Sequence, residues 1–219
     1  MSRLRSLSRP GGREGMARFG INPEHALGVR IPDLRRLAKE LGKDHSLALA
    51  LWRTGVHEAR ILASMVDQPE RVTERQMESW VRAFDSWDVC DQVCGNLFDR
   101  TRFAGEKTVE WMGRDEEFVK RAGFALAAWR AVHDRDAADG EFIDLLPHIE
   151  REAEDARNFV KKAVSWALRQ LGKRNRALNR RAVAVAKRLS ARKDSAAARW
   201  VGADALRELT SDAVQERVR

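Results

Sequence analysis

A short run recurs along this chain at the spacing of a helical repeat. FVKRAGFAL at 118–126 returns as FVKKAVSWAL at 159–168, and ALRQL at 167–171 returns as ALREL at 205–209. The offsets, 41 and 38 residues, are close to the ~40–47 residues of HEAT and armadillo repeats. Each period holds two helices. Such a pair cannot bury its own apolar face, so neighbouring pairs must stack, and stacking bends the array into a curved α-α superhelix with one concave surface.

The rest of the sequence fits this reading. Pro32 opens IPDLRRLAKELG, with Leu34, Leu37, Ala38 and Leu41 on one face and Gly42 as the stop. Further helices are expected over about 44–54, in HEARILASMV before Pro69, in MESWVRAF behind a Thr73/Gln76 capping box, and in WDVCDQVCGNLF behind Ser86. Later ones fall at about 105–113, 115–134, 140–153, 156–171, 176–191 and 195–208. Sustained strand alternation is missing. The expected fold is all-α, a HEAT-like solenoid, with a flexible segment at 1–12 and a single domain over 13–219.

Hydrophobic residues make up 43% of the 219, enough for a core, which argues against wholesale disorder. No apolar stretch approaches the ~20 residues of a membrane span. Met1–Arg13 is basic without an apolar core, so it does not read as a secretory signal. Cys90 and Cys94, one turn apart, suit neither a disulfide nor a zinc site and read as reduced core thiols. The chain is expected to be a cytoplasmic monomer needing no metal or cofactor.

The net charge of +8 favours a polyanion, with nucleic acid first and an anionic membrane second. The charge is concentrated: from Ala156 to Lys193 there are thirteen Lys or Arg and no acid. This run, with Lys161, Lys162, Arg169, Lys173 and Arg174, reads either as a phosphate-facing surface or as a solvated face balanced by Glu150, Glu152, Glu154 and Asp155. Trp87 and Asp91 are i,i+4 and share a helix face. They read either as a core indole beside a solvated carboxylate or as a π-face and a charge offered to a cationic ring. Arg121 and Trp166 sit within the recurring runs.

These stretches, with GMARFGIN, HEARILASMVD and FDSWDVCDQVCGNLFDRT, resemble the AlkD-type DNA alkylation-repair family, the HEAT-like DNA glycosylases, in order and spacing over about 13–209. The resemblance puts that family's Trp-Asp-x-x-Asp run on Trp87–Asp91. It implies that Asp91 is catalytic, that Trp87 and Trp166 cradle the lesion, with Phe19 beside them, and that Arg121 contacts phosphate. With it go Lys120 and the basic run. The implied partner is double-stranded DNA carrying cationic N3- or N7-alkylated purines, excised without base flipping. Ser86 stands where the best-known pattern has a second tryptophan, and Phe19 where it has tyrosine. The alternative is a non-catalytic DNA- or protein-binding module, for which a carboxylate in a phosphate-lined groove has no use.

Overall fold

A computed structural model describes residues 1–9 and 11–218. Among the described residues there are helices and no strands, as the repeat spacing requires. They fall into two compact units, Met1–Phe103 and Ala104–Arg219.

The first unit holds α1 (Ser2–Ser6), α2 (Gly12–Arg18), α3 (Ile31–Leu41), α4 (His45–Arg53), α5 (His57–Val66), α6 (Glu74–Arg82) and α7 (Trp87–Asn96). Helix α1 lies within the segment expected to be flexible, and its Leu4 is buried. Pro32 lies in the first turn of α3 and Gly42 closes it at a φ of 72°, in the left-handed region that glycine enters without strain. The apolar face of α3 is narrower than its periodicity implies: Leu34 and Leu37 are buried, while Leu41 is exposed. Asp44 caps α4, accepting from Leu47 N at 2.9 Å. Thr73 caps α6 through Gln76 N at 3.1 Å. The Gln76 side chain does not return to Thr73; its amide donates to the buried Asp67 carboxylate at 2.7 Å. Burying a carboxylate without partners is costlier than leaving one cap half-made. The centre of the unit is aromatic, with Trp52 and Trp80 stacked at 4.0 Å and Phe84 and Phe98 at their edges.

The second unit holds α8 (Ala104–Met112), α9 (Glu117–His133), α10 (Asp139–Ile143), α11 (Leu146–Glu152), α12 (Asn158–Gly172), α13 (Arg176–Ser190), α14 (Ala196–Leu209) and α15 (Asp212–Arg217). The single helix expected over 140–153 is two. Pro147, in the first turn of α11, supplies no N–H and cannot continue a helix from α10. The two recurring runs begin α9 and α12, which pack side by side, and their leading rings, Phe118 and Phe159, lie 5.8 Å apart. Gly123 lets α9 press onto α8: a Cβ there would lie 2.5 Å from Met112 N. Asn175 and Ser195 cap α13 and α14. The core runs through Met112, Phe124, Phe142, Val164, Leu168 and Leu189.

Candidate functional site

In the first unit the site is built on α7. Val89, Cys90, Val93 and Cys94 form its buried face, and both thiols are free. Trp87, Asp88, Asp91 and Gln92 lie half-buried beside that face. Asp91 therefore sits one turn inside the helix with Trp87 below it, as their i,i+4 spacing requires.

The start of α7 is fixed by a network of polar side chains. His57, at the start of α5, is buried and lies 2.8 Å from Asp88 (Nε2 to Oδ2). The Ser86 Oγ donates to the other Asp88 oxygen at 2.6 Å. Ser86 is thus the N-cap residue of α7, but its side chain does not cap the backbone as expected. A hydroxyl buried beside a carboxylate satisfies both groups at once. Burial disfavours the charged forms of His57 and Asp88. The bond and attraction between them outweigh it, with help from Ser86 and the Val89 N–H for the carboxyl. His57 is consequently held above the ordinary imidazole range and Asp88 below the ordinary carboxyl range.

The adjoining Glu58 is also buried. It accepts backbone N–H bonds from Leu27 at 2.8 Å, Gly28 at 2.6 Å and Val29 at 3.1 Å, pinning the approach to α3 onto α5. Trp87 Nε1 donates to the Phe19 carbonyl at 3.0 Å. The Phe19 ring itself is 73% exposed. Next to it lies a cavity of about 650 Å³, walled by Met16, Phe19, Ile21 and Ile61, with His57 and Asp88 among its polar groups. His57 and Glu58 were missed in the sequence. The ionisable residues that open HEARILASMV ahead of its apolar stretch were the signal.

The second unit holds the other residues singled out. Trp166 is half-buried on α12 and meets Trp129 edge-on, ring centres 5.5 Å apart. Arg121 is 5% exposed, and its Nη1 donates to the Phe159 carbonyl at 2.5 Å, tying α9 to α12. Lys120 faces Glu152 at 2.7 Å and Asp155 at 3.6 Å. Lys173 meets Glu208 at 2.6 Å, and Arg169 also pairs with Glu208. Arg174 donates to the carbonyls of Ala131, Asp134, Arg135 and Ala137 and covers the Phe142 ring at 4.5 Å. It closes the carbonyl end of α9, where a cation also favours the helix dipole. Beyond the run's own helices, Arg188 meets Glu150 at 2.7 Å and Arg192 meets Glu154. Much of the run is thus balanced by acids from neighbouring helices. Lys161 and Lys162 are different: neither has an ion pair among the described residues, and Lys162 is exposed.

Among the described residues no group of three or more His, Cys, Asp or Glu could hold a metal ion. None of their helices is long and apolar enough to cross a membrane.

The stacked helix pairs of the second unit define a helical-repeat protein. Residues 1–209 match the family described as DNA alkylation repair enzyme, and the chain belongs to that family. No protein of curated function matches the sequence. Among solved structures, one at 18% identity superposes with a TM-score of 0.84, covering 100% of this chain and 94% of the other. It is described as belonging to a new family of proteins related to the HEAT-like repeat DNA glycosylases with affinity for branched DNA structures.

Proposed function

We propose that the protein is a DNA glycosylase that releases cationic N3- and N7-alkylated purines from double-stranded DNA, with Asp91 as the catalytic group. The observation that carries this reading is the setting of Asp91. A carboxylate one turn inside a helix is too far in to cap it, yet here it is neither in the core nor fully in solvent. Membership of the DNA alkylation repair enzyme family supports the same chemistry.

Alkylation at N3 or N7 makes the base a cationic leaving group. As the glycosidic bond breaks, positive charge moves onto the sugar. The bonding electrons leave with the base, which departs neutral. Water adds to C1′ and gives up a proton. A fixed carboxylate stabilises the oxocarbenium charge and orients that water. Trp87, held by the Phe19 carbonyl, offers a fixed indole to the sugar and backbone. The Asp88–His57–Ser86 network keeps the start of α7 from shifting, so Asp91 is pre-positioned. In the second unit, Trp166 offers an indole of its own to the DNA. Lys161 and Lys162 supply the positive potential toward phosphate and are free to move onto it, while Arg121 braces the α9–α12 face that carries them. Both units take part in binding DNA, in the cytoplasm.

The test is incubation with duplex DNA carrying a single N7-methylguanine, followed by measurement of free base. Release of the base supports the reading. Tight binding with no release favours a non-catalytic module, a reading supported by the branched-DNA affinity of the 18%-identical structural relative.

A further inference from the structure

Six of the seven tryptophans are buried or half-buried; Trp200 alone is exposed among the described residues, at 39%. It lies on the first turns of α14. The residues one turn before and after it, Ala196 and Ala203, are themselves exposed and small, so the indole is not shielded along its own helix. The nearest acid on α14, Asp204, is occupied: it accepts from Ser165 Oγ at 2.7 Å and pairs with Arg207 at 2.5 Å.

The lysine over the ring contrasts with the rest of the basic run. Lys161 Nζ stands 4.8 Å from the Trp200 ring centre. Neither it nor the adjoining Lys162 meets a carboxylate among the described residues, whereas Arg169, Lys173, Arg188 and Arg192 all do. Arg199, the residue before Trp200, turns its guanidinium away onto the carbonyls of Arg192 and Lys193 at 3.1 and 3.0 Å.

A part-exposed indole covered only by the flexible stem of a lysine that has no carboxylate partner is a combination that can take a nucleotide as a whole, base on the ring and phosphate on the ammonium group. Inside a duplex the base faces are covered by their neighbours. The indole is therefore useful only to a nucleotide whose base is free. We propose that the α12–α14 edge of the second unit carries a binding site for unpaired DNA, with a base stacked on Trp200 and its flanking phosphates on Lys161 and Lys162. The long lysine stem lets the Lys161 ammonium swing from the ring to a phosphate without moving the backbone. The inference rests on the DNA-binding part of the proposed function and is independent of base excision.

The experiment compares wild type, Trp200→Ala and Trp200→Phe, titrated with a labelled oligothymidylate and with a duplex of the same length. Loss of one base stack should weaken oligothymidylate binding by Trp200→Ala roughly 5- to 150-fold, and the Phe variant, which keeps a stacking face, should stay within a few-fold of wild type. All three should bind duplex alike, and wild type should show tryptophan quenching by oligothymidylate that Trp200→Ala lacks. Equal oligothymidylate binding by wild type and Trp200→Ala overturns the proposal. So does a loss as large in the Phe variant, or one matched on duplex. Wild type that binds duplex but not oligothymidylate overturns this site alone; wild type that binds neither removes the DNA-binding reading with it.

Discussion

His57→Leu isolates the contact on which the geometry of α7 depends. The substitution keeps an apolar volume at the start of α5 but leaves the Asp88 carboxylate with only Ser86 Oγ and the Val89 N–H as partners. The side chains of His57 and Asp88 are 4% and 15% exposed, so solvent replaces little of what is lost. Breaking a fully buried charged pair costs 3–5 kcal/mol and a charge-assisted hydrogen bond is worth 1.5–3, which puts the loss here at about 2–4 kcal/mol. For a chain of this size that lowers the thermal midpoint by about 4–16 °C. The loss must also depend on pH. Because His57 is raised in the folded protein, its contribution is complete below its unfolded pKa of about 6.5 and fades as pH rises through the higher folded value. Because Asp88 is lowered, its contribution is present above its unfolded value and is lost only as pH falls through the depressed folded one. Thermal melts of wild type and His57→Leu should therefore differ most near pH 5–6 and less at pH 9. A gap of equal size at both pH values, or one wider at pH 9, refutes the argument.

Other substitutions separate structure from binding. Arg121→Ala should lower both the thermal midpoint and DNA affinity, because Arg121 is buried and bridges α9 to the Phe159 carbonyl; an unchanged melt would contradict that bridging role. Neutralising Lys161 and Lys162 together should leave the melt within a degree or two and reduce the slope of log affinity against log salt by up to about 2, close to one per phosphate released, as titration at several salt concentrations would show. Gly123→Ala should destabilise by about 1–3 kcal/mol in urea unfolding, since its Cβ would have to displace the α8 backbone at Met112 and Trp111.

The fold was legible because its signals are local: the recurring FVK and ALR runs, Pro32, Gly42, and the cap at Thr73. Reading failed where a tertiary partner outbid a local one. Ser86 bonds to Asp88 instead of capping α7, and Gln76 reaches Asp67 instead of closing its box. The basic run shows the same effect over a longer range. Its 157–193 stretch contains no acid, yet Arg169 and Lys173 find Glu208, and Arg188 finds Glu150, each 35–39 residues away. That separation is close to the repeat period, so residues far apart in the chain become neighbours in adjacent repeats. Charges one repeat apart must be read together, and only Lys161 and Lys162 among the expected phosphate contacts keep their charge without an ion pair or a backbone carbonyl among the described residues. On α7, the spacing placed Trp87 and Asp91 on one face, but the Asp88–His57 pair that holds the helix joins residues 31 apart and left only a buried-polar signal in HEAR.

The central claim is that the Asp91 charge drives base release. Single-turnover release of N7-methylguanine from duplex DNA, compared between wild type and Asp91→Asn, tests it directly. The amide keeps the shape and removes the charge opposing the oxocarbenium, so the rate should fall by on the order of 10²–10³-fold while DNA affinity holds or tightens. Uracil, a neutral leaving group, should not be released by either. Equal release rates for wild type and Asp91→Asn, or no release by wild type at concentrations where it binds the DNA, would contradict the claim.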